Sequence, residues 1–150
     1  MDAGTYPNEE VAEYIGRYFV PVQINVQEDP GAMERFHTMW TPTIILKDDR
    51  GREHRRSQGY LNPQELLAEL SLARLAAALD AGDYDEAVTI SQDAIARTQF
   101  DKNRNAEARY WAGVANYKST DDPSKLGESW KPLIDEMPDS EWARKASFIK

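Results

Sequence analysis

Two histidines, a run of arginines and several adjacent aspartates are the residues whose types could do chemistry. His37 and His54 could ligate a metal or move a proton, but neither has a carboxylate neighbour at metal-ligand spacing, so no metal site is expected. Asp48-Asp49 and Asp121-Asp122 could form an acid/base pair, yet each sits beside arginine-glycine or proline and reads better as turn and cap chemistry. No Ser/His/Asp arrangement is visible, although triad members are distant in a chain and leave no local signature. No glycine-rich phosphate loop follows a strand. The chain has no cysteine, so it offers no thiolate, no disulfide framework and no thiol–disulfide exchange. The expectation is therefore no catalytic, cofactor-binding or metal-binding residue.

Arg50, Arg52, His54, Arg55 and Arg56 form the one basic cluster. On a strand, Arg52, His54 and Arg56 would share a face and could hold an acidic partner. Charge that protects a sheet edge is the favoured reading. The chain as a whole is acidic, with 18 basic and 26 acidic residues and a net charge of −8. That balance repels phosphate backbones and argues against nucleic acid or an anionic membrane as partner. No apolar run reaches the ~20 residues that span a bilayer. The first residues lack the regions of a signal peptide, so a cytoplasmic location is expected.

The elements that must position these groups are legible from period and punctuation. Residues 8–19 read as a helix capped by Asn8, with Val11, Tyr14, Ile15 and Tyr18 on one face. Val20, Val22, Ile24 and Val26 alternate with Pro21, Gln23 and Asn25, which predicts a strand with one buried face. After the turn at 27–31 comes a short helix from Ala32. A strand from Trp40 to Lys47, a hairpin turn at Asp48-Asp49-Arg50-Gly51 and a polar strand to Gln58 follow. Asn62-Pro63 opens a helix that runs to about Leu79. Beyond the break at Asp80-Ala81-Gly82-Asp83, helices are predicted at about 84–98, 105–118, 123–136 and 139–148, with no further strand.

Residues 8–70 resemble the C-terminal two-thirds of a thioredoxin-like domain. The resemblance rests on the order of the pieces: helix, Val-Pro-Val-Gln-Ile-Asn-Val, acidic turn, short helix, Thr41-Pro42-Thr43 with its apolar strand, hairpin, Gly59-Tyr60 and a last helix. It implies that the Thr41–Pro42 bond is cis. It also implies that Trp40, Thr41 and Pro42 line a groove able to pair with an extended peptide; Trp40 reads equally as a core residue. Residues 72–138 resemble tetratricopeptide-like helical hairpins, on Gly82-Asp83-Tyr84-Asp85-Glu86-Ala87, on residues 108–117 and on Pro138. Since about three repeats are needed for independent stability, these helices are expected to lean on the first part.

The expected fold is α/β: a truncated thioredoxin-like three-strand sheet with helices over 1–70, then an all-α tetratricopeptide-like extension over 71–150. By the resemblance, a strand and a Cys-x-x-C motif precede the segment matching Met1 to Pro7. That strand belongs between residues 20–26 and 43–47, so these two either pair directly, are separated by a strand from elsewhere, or leave an edge open to a partner; direct pairing or oligomer formation is the favoured reading. The function expected is non-catalytic binding of protein or peptide partners through the cis-proline groove, the helical surface or both. The alternative is a fragment of a thiol–disulfide oxidoreductase whose Cys-x-x-C lies upstream of Met1. In the helical part, Tyr110, Val114 and Tyr117 are expected to form a core stripe with Trp111 in the core. Trp130 and Trp142, which border turns, could be core or line a concave groove.

Overall fold

The computed structural model describes residues 1–149. Its contacts divide the chain into two compact units, Met1–Leu67 and the residues from Ala68 onward. In chain order the elements are α1 (Glu9–Tyr18), α2 (Ala32–Arg35), β1 (Thr43–Lys47), β2 (Glu53–Gln58), α3 (Pro63–Ala81), α4 (Tyr84–Arg97), α5 (Lys102–Thr120), α6 (Ser124–Glu136) and α7 (Glu141–Ala146).

In the first unit, the Asn8 side chain accepts from the Val11 amide at 3.1 Å and starts α1, with Glu9 and Glu10 at the positive end of the helix dipole. Val11 and Tyr14 are buried as expected, whereas Tyr18 lies on the exposed side. The Thr5 hydroxyl, itself buried, donates to the Leu61 carbonyl at 2.6 Å and ties the N-terminal residues to the end of the hairpin segment. Among the described residues the sheet has two antiparallel strands and not three. β1 pairs with β2 from Thr43↔Gln58 to Lys47↔Glu53, with a bulge between Leu46 and Lys47. The extra residue in β2 shifts the phase of its side chains.

The predicted strand at 20–26 does not form. Among the described residues the backbone of residues 20–24 has no hydrogen-bond partner, and Val20 and Val22 are 91% and 80% exposed. Alternation is a local property, but a strand exists only where a neighbour accepts and donates along its edge. β1 pairs only with β2, so direct pairing with 20–26 is also excluded.

Asn62 and Glu65 start α3 reciprocally: the Glu65 amide donates to the Asn62 side chain and the Asn62 amide to the Glu65 carboxylate, both at 2.9 Å. Pro63 takes the first helical position, where no amide is needed. Residues 66–73 of this helix are all buried. It ends at Gly82, whose φ of 77° is open to glycine at little strain. The Asp83 amide then donates to Ala78 at 2.9 Å and the Gly82 amide to Leu79 at 3.2 Å, the paired bonds that close a helix C-terminus.

In the second unit α5 packs against α4, α6 and α7. Apart from Asn105, its buried residues are small: Ala106, Ala108, Ala112, Gly113 and Ala115. Ala108 and Ala115 meet Leu72, Leu75, Ala87, Ile90 and Ala94, while Ala106 meets Leu133 and Ala143. The expected Tyr110–Val114–Tyr117 stripe is only half-buried. A helix enclosed on two sides needs close backbone approach, which small residues allow and rings would block. Gly113 shows this most sharply, because a Cβ there would lie 2.3 Å from the Trp130 Nε1.

Candidate functional site

The groove residues sit where β1 begins. His37 adopts φ 52°, and its carbonyl accepts from the Arg56 guanidinium at 3.0 Å, which holds the approach to residues 38–42. The Trp40 carbonyl accepts from the Thr43 hydroxyl at 2.5 Å, and the Pro42 carbonyl accepts from the Gly59 amide at 2.7 Å. The Thr41–Pro42 peptide bond between them is cis. The segment is thus fixed at both ends while its side chains face out. Trp40 is 66% exposed and Met39 is 80% exposed, with Thr41 and Pro42 also exposed. Trp40 is therefore not a core residue. Among the described residues, the N–H groups of Met39, Trp40 and Thr41 have no partner.

Sequence reasoning missed Met39, and it missed Tyr60, which follows Gly59 and is also largely exposed. The signal was present at Met39, where two large apolar residues stand side by side, out of register with the alternation of the strand that follows.

Two members of the basic cluster, His54 and Arg56, meet carboxylates of the hairpin. The Arg56 guanidinium donates twice to Glu53, at 3.0 and 2.6 Å. That ion pair and hydrogen bond hold the Glu53 carboxyl below its usual range. His54 does have a carboxylate neighbour, contrary to the sequence expectation: its Nε2 lies 2.8 Å from Asp48 across the turn. The other Asp48 oxygen accepts from the Arg50 and Arg52 amides, both at 2.9 Å. The His54 ring first, with those two amides, holds the Asp48 carboxyl below the ordinary carboxylate range. Asp48 is thus the organiser of the turn, as its Asp-x-x-Gly context suggested.

The second unit gathers the aromatic residues. Trp130 is 2% exposed and donates its indole N–H to the Tyr110 carbonyl at 2.9 Å. Tyr110 stacks on it at 4.6 Å and also meets Trp111 and Trp142. Trp111 and Trp142 are half-buried, and the Lys145 ammonium lies 4.2 Å from the Trp142 ring centre. Trp130 is therefore core, and the outer rings form a rim.

Among the described residues no helix is long and apolar enough to cross a membrane. No curated protein and no solved structure matches the chain. Residues 1–74 match the family model of a thioredoxin-like domain. The matched residues include the whole Met39-to-Gly59 site, and over them the chain is similar to a thioredoxin-like domain.

Proposed function

We propose that this protein binds polypeptide partners through residues 39–42 without a redox step of its own. The observation that carries the reading is Trp40: a large aromatic, 66% exposed, on a segment pinned by bonds to Thr43 and Gly59. Rigid exposed tryptophans lose little conformational entropy on binding, and they dominate many interfaces. The unengaged amides of Met39, Trp40 and Thr41 offer an extended client main-chain hydrogen bonds beside that ring. With no cysteine in the chain, thiol–disulfide exchange is not part of the reading. Residues 71–150 are read as a tetratricopeptide-like extension, whose rim of Trp111 and Trp142 is a secondary surface for the same class of partner.

The test is a titration with a reduced, carboxymethylated unfolded protein, followed by tryptophan fluorescence. Wild type is expected to show a saturable shift, and Trp40→Ala to lose it while keeping the wild-type circular dichroism spectrum. An unchanged titration in Trp40→Ala moves binding away from this segment, and no shift in wild type ends the proposal.

A further inference from the structure

Residues 39–41 pass from α2 to β1 with unengaged amides, so their path is set at the two ends of the segment. At the far end the Gly59 amide donates to the Pro42 carbonyl at 2.7 Å. At the near end the tie is a side chain of β2, Arg56, whose guanidinium donates to the His37 carbonyl at 3.0 Å. We infer that Arg56 is a positioning residue of the binding segment, setting its affinity for a client through His37 and not by contact. The inference rests on the client-binding reading and names the residue that prepares that site.

Three observations carry it. First, the exit from α2 is a helix-closing turn with a residue other than glycine in the left-handed region. The Thr38 amide donates to the Met33 carbonyl at 2.8 Å and the His37 amide to the Glu34 carbonyl at 3.1 Å, with His37 at φ 52°. Glycine takes that conformation at little strain and histidine does not, so the turn gains from support outside itself. The helix it closes has four residues and little cohesion of its own. Second, the guanidinium supplies that support with its fork fully directed. Nε and Nη2 donate to the two Glu53 carboxylate oxygens at 3.0 and 2.6 Å, which fixes the guanidinium plane and leaves Nη1 aimed at His37. A lysine ammonium has no such plane. Third, Arg56 stands in the ladder opposite Ile45, and Gly59 follows the end of the same strand, so both ends of the segment are referred to β2. Without Arg56 one of these ties remains, and a client must order the segment as it binds, which lowers affinity.

The test uses the full chain and three variants. They are read by NMR amide relaxation of residues 38–41 in the free protein and by titration with the reduced, carboxymethylated unfolded protein. Arg50→Ala is the control, since Arg50 is an exposed cation of the same hairpin turn with no bond to His37. Arg56→Ala is expected to lower the order of residues 38–41 relative to β1. It is also expected to weaken client binding about tenfold, the size of re-ordering roughly one residue. Arg56→Lys, which keeps the charge and loses the fork, is expected to fall between alanine and wild type on both readouts. Arg50→Ala is expected to match wild type on both. Unchanged order and affinity in Arg56→Ala overturn the inference, and so does a loss of order with affinity intact. An equal loss in Arg50→Ala overturns it too, because charge and not position is then responsible. If circular dichroism shows that Arg56→Ala does not fold, Arg56→Lys decides, and wild-type behaviour on both readouts overturns the inference. A wild type that binds no client ends the client-binding reading and this inference with it, an outcome that the wild-type titration alone distinguishes from a failure of Arg56.

Discussion

The two units treat the same raw material, apolar side chains at regular spacing, in opposite ways. In the helices after Ala68 the regular apolar residues are enclosed: Leu75 and Leu133 are almost wholly buried, and Trp130 is covered down to its indole N–H, which Tyr110 accepts. In residues 20–26 an equally regular set leaves Val20, Val22 and Ile24 in solvent, with Val26 half-buried. The difference is where the hydrogen bonds go. A helix satisfies its backbone internally, so its apolar face needs only something to pack against. A strand satisfies its backbone only through a neighbour, so the same hydrophobic content stays unspent until one arrives. The helical unit encloses its own apolar residues, whereas the N-terminal unit leaves Val20, Val22, Met39 and Trp40 in solvent.

Breaking the enclosed region should show the largest effect. Trp130→Ala removes a buried ring, its stack on Tyr110 and its bond to the Tyr110 carbonyl, and is expected to lower stability by about 3–5 kcal/mol in urea unfolding. Gly113→Ala is the subtler probe. Overpacking against Trp130 costs ~1–3 kcal/mol, while the helix gains about 1 kcal/mol from replacing glycine. Because the 2.3 Å clash involves a wedged indole and not a flexible tip, the net is expected to be a loss of roughly 2 kcal/mol. A stabilised Gly113→Ala would contradict the close approach of α5 and α6. Next, Asp101→Ala removes the cap that accepts from the Asn103 and Arg104 amides, at about 1 kcal/mol by the same measurement.

Acid sharpens the comparison from the hairpin side. The carboxyls of Asp48 and Glu53 titrate below their ordinary values in the folded chain, held by His54 and Arg56 respectively. On acidification the unfolded chain therefore takes up these protons first. The stability they contribute is full above the usual carboxylate range, near pH 4, and is lost as pH falls through the folded values. An acid melt should thus steepen below about pH 4, and Asp48→Asn should flatten that dependence without altering it above pH 6. The smallest effect belongs to the exposed segment: Val22→Lys should leave the stability of the single chain within ~0.5 kcal/mol, in contrast to any comparable change in the helical core.

How much of this was legible follows the same division. Helix starts at Asn8 and Asn62 were readable because caps and proline at the first turn act within a few residues. The place of residues 40–42 just before β1 was readable from their order in the chain, though only the structure decides that Trp40 is exposed. Three features were not readable. The strand at 20–26 failed because pairing is non-local. The His54–Asp48 contact was hidden by the bulge between Leu46 and Lys47, which re-aims side chains that an ideal strand would alternate. The packing face of α5 was misread because large rings attract attention, while a helix with neighbours on two sides is defined by its alanines and Gly113.

The most direct test of the central claim, that partners meet this protein through its N-terminal unit, is amide hydrogen exchange with and without an unfolded client protein. The account predicts new protection at residues 39–41, whose amides are unengaged in the free chain, with no change in α4, α5 and α6. Protection gained only in those helices, with residues 39–41 exchanging as before, would contradict it.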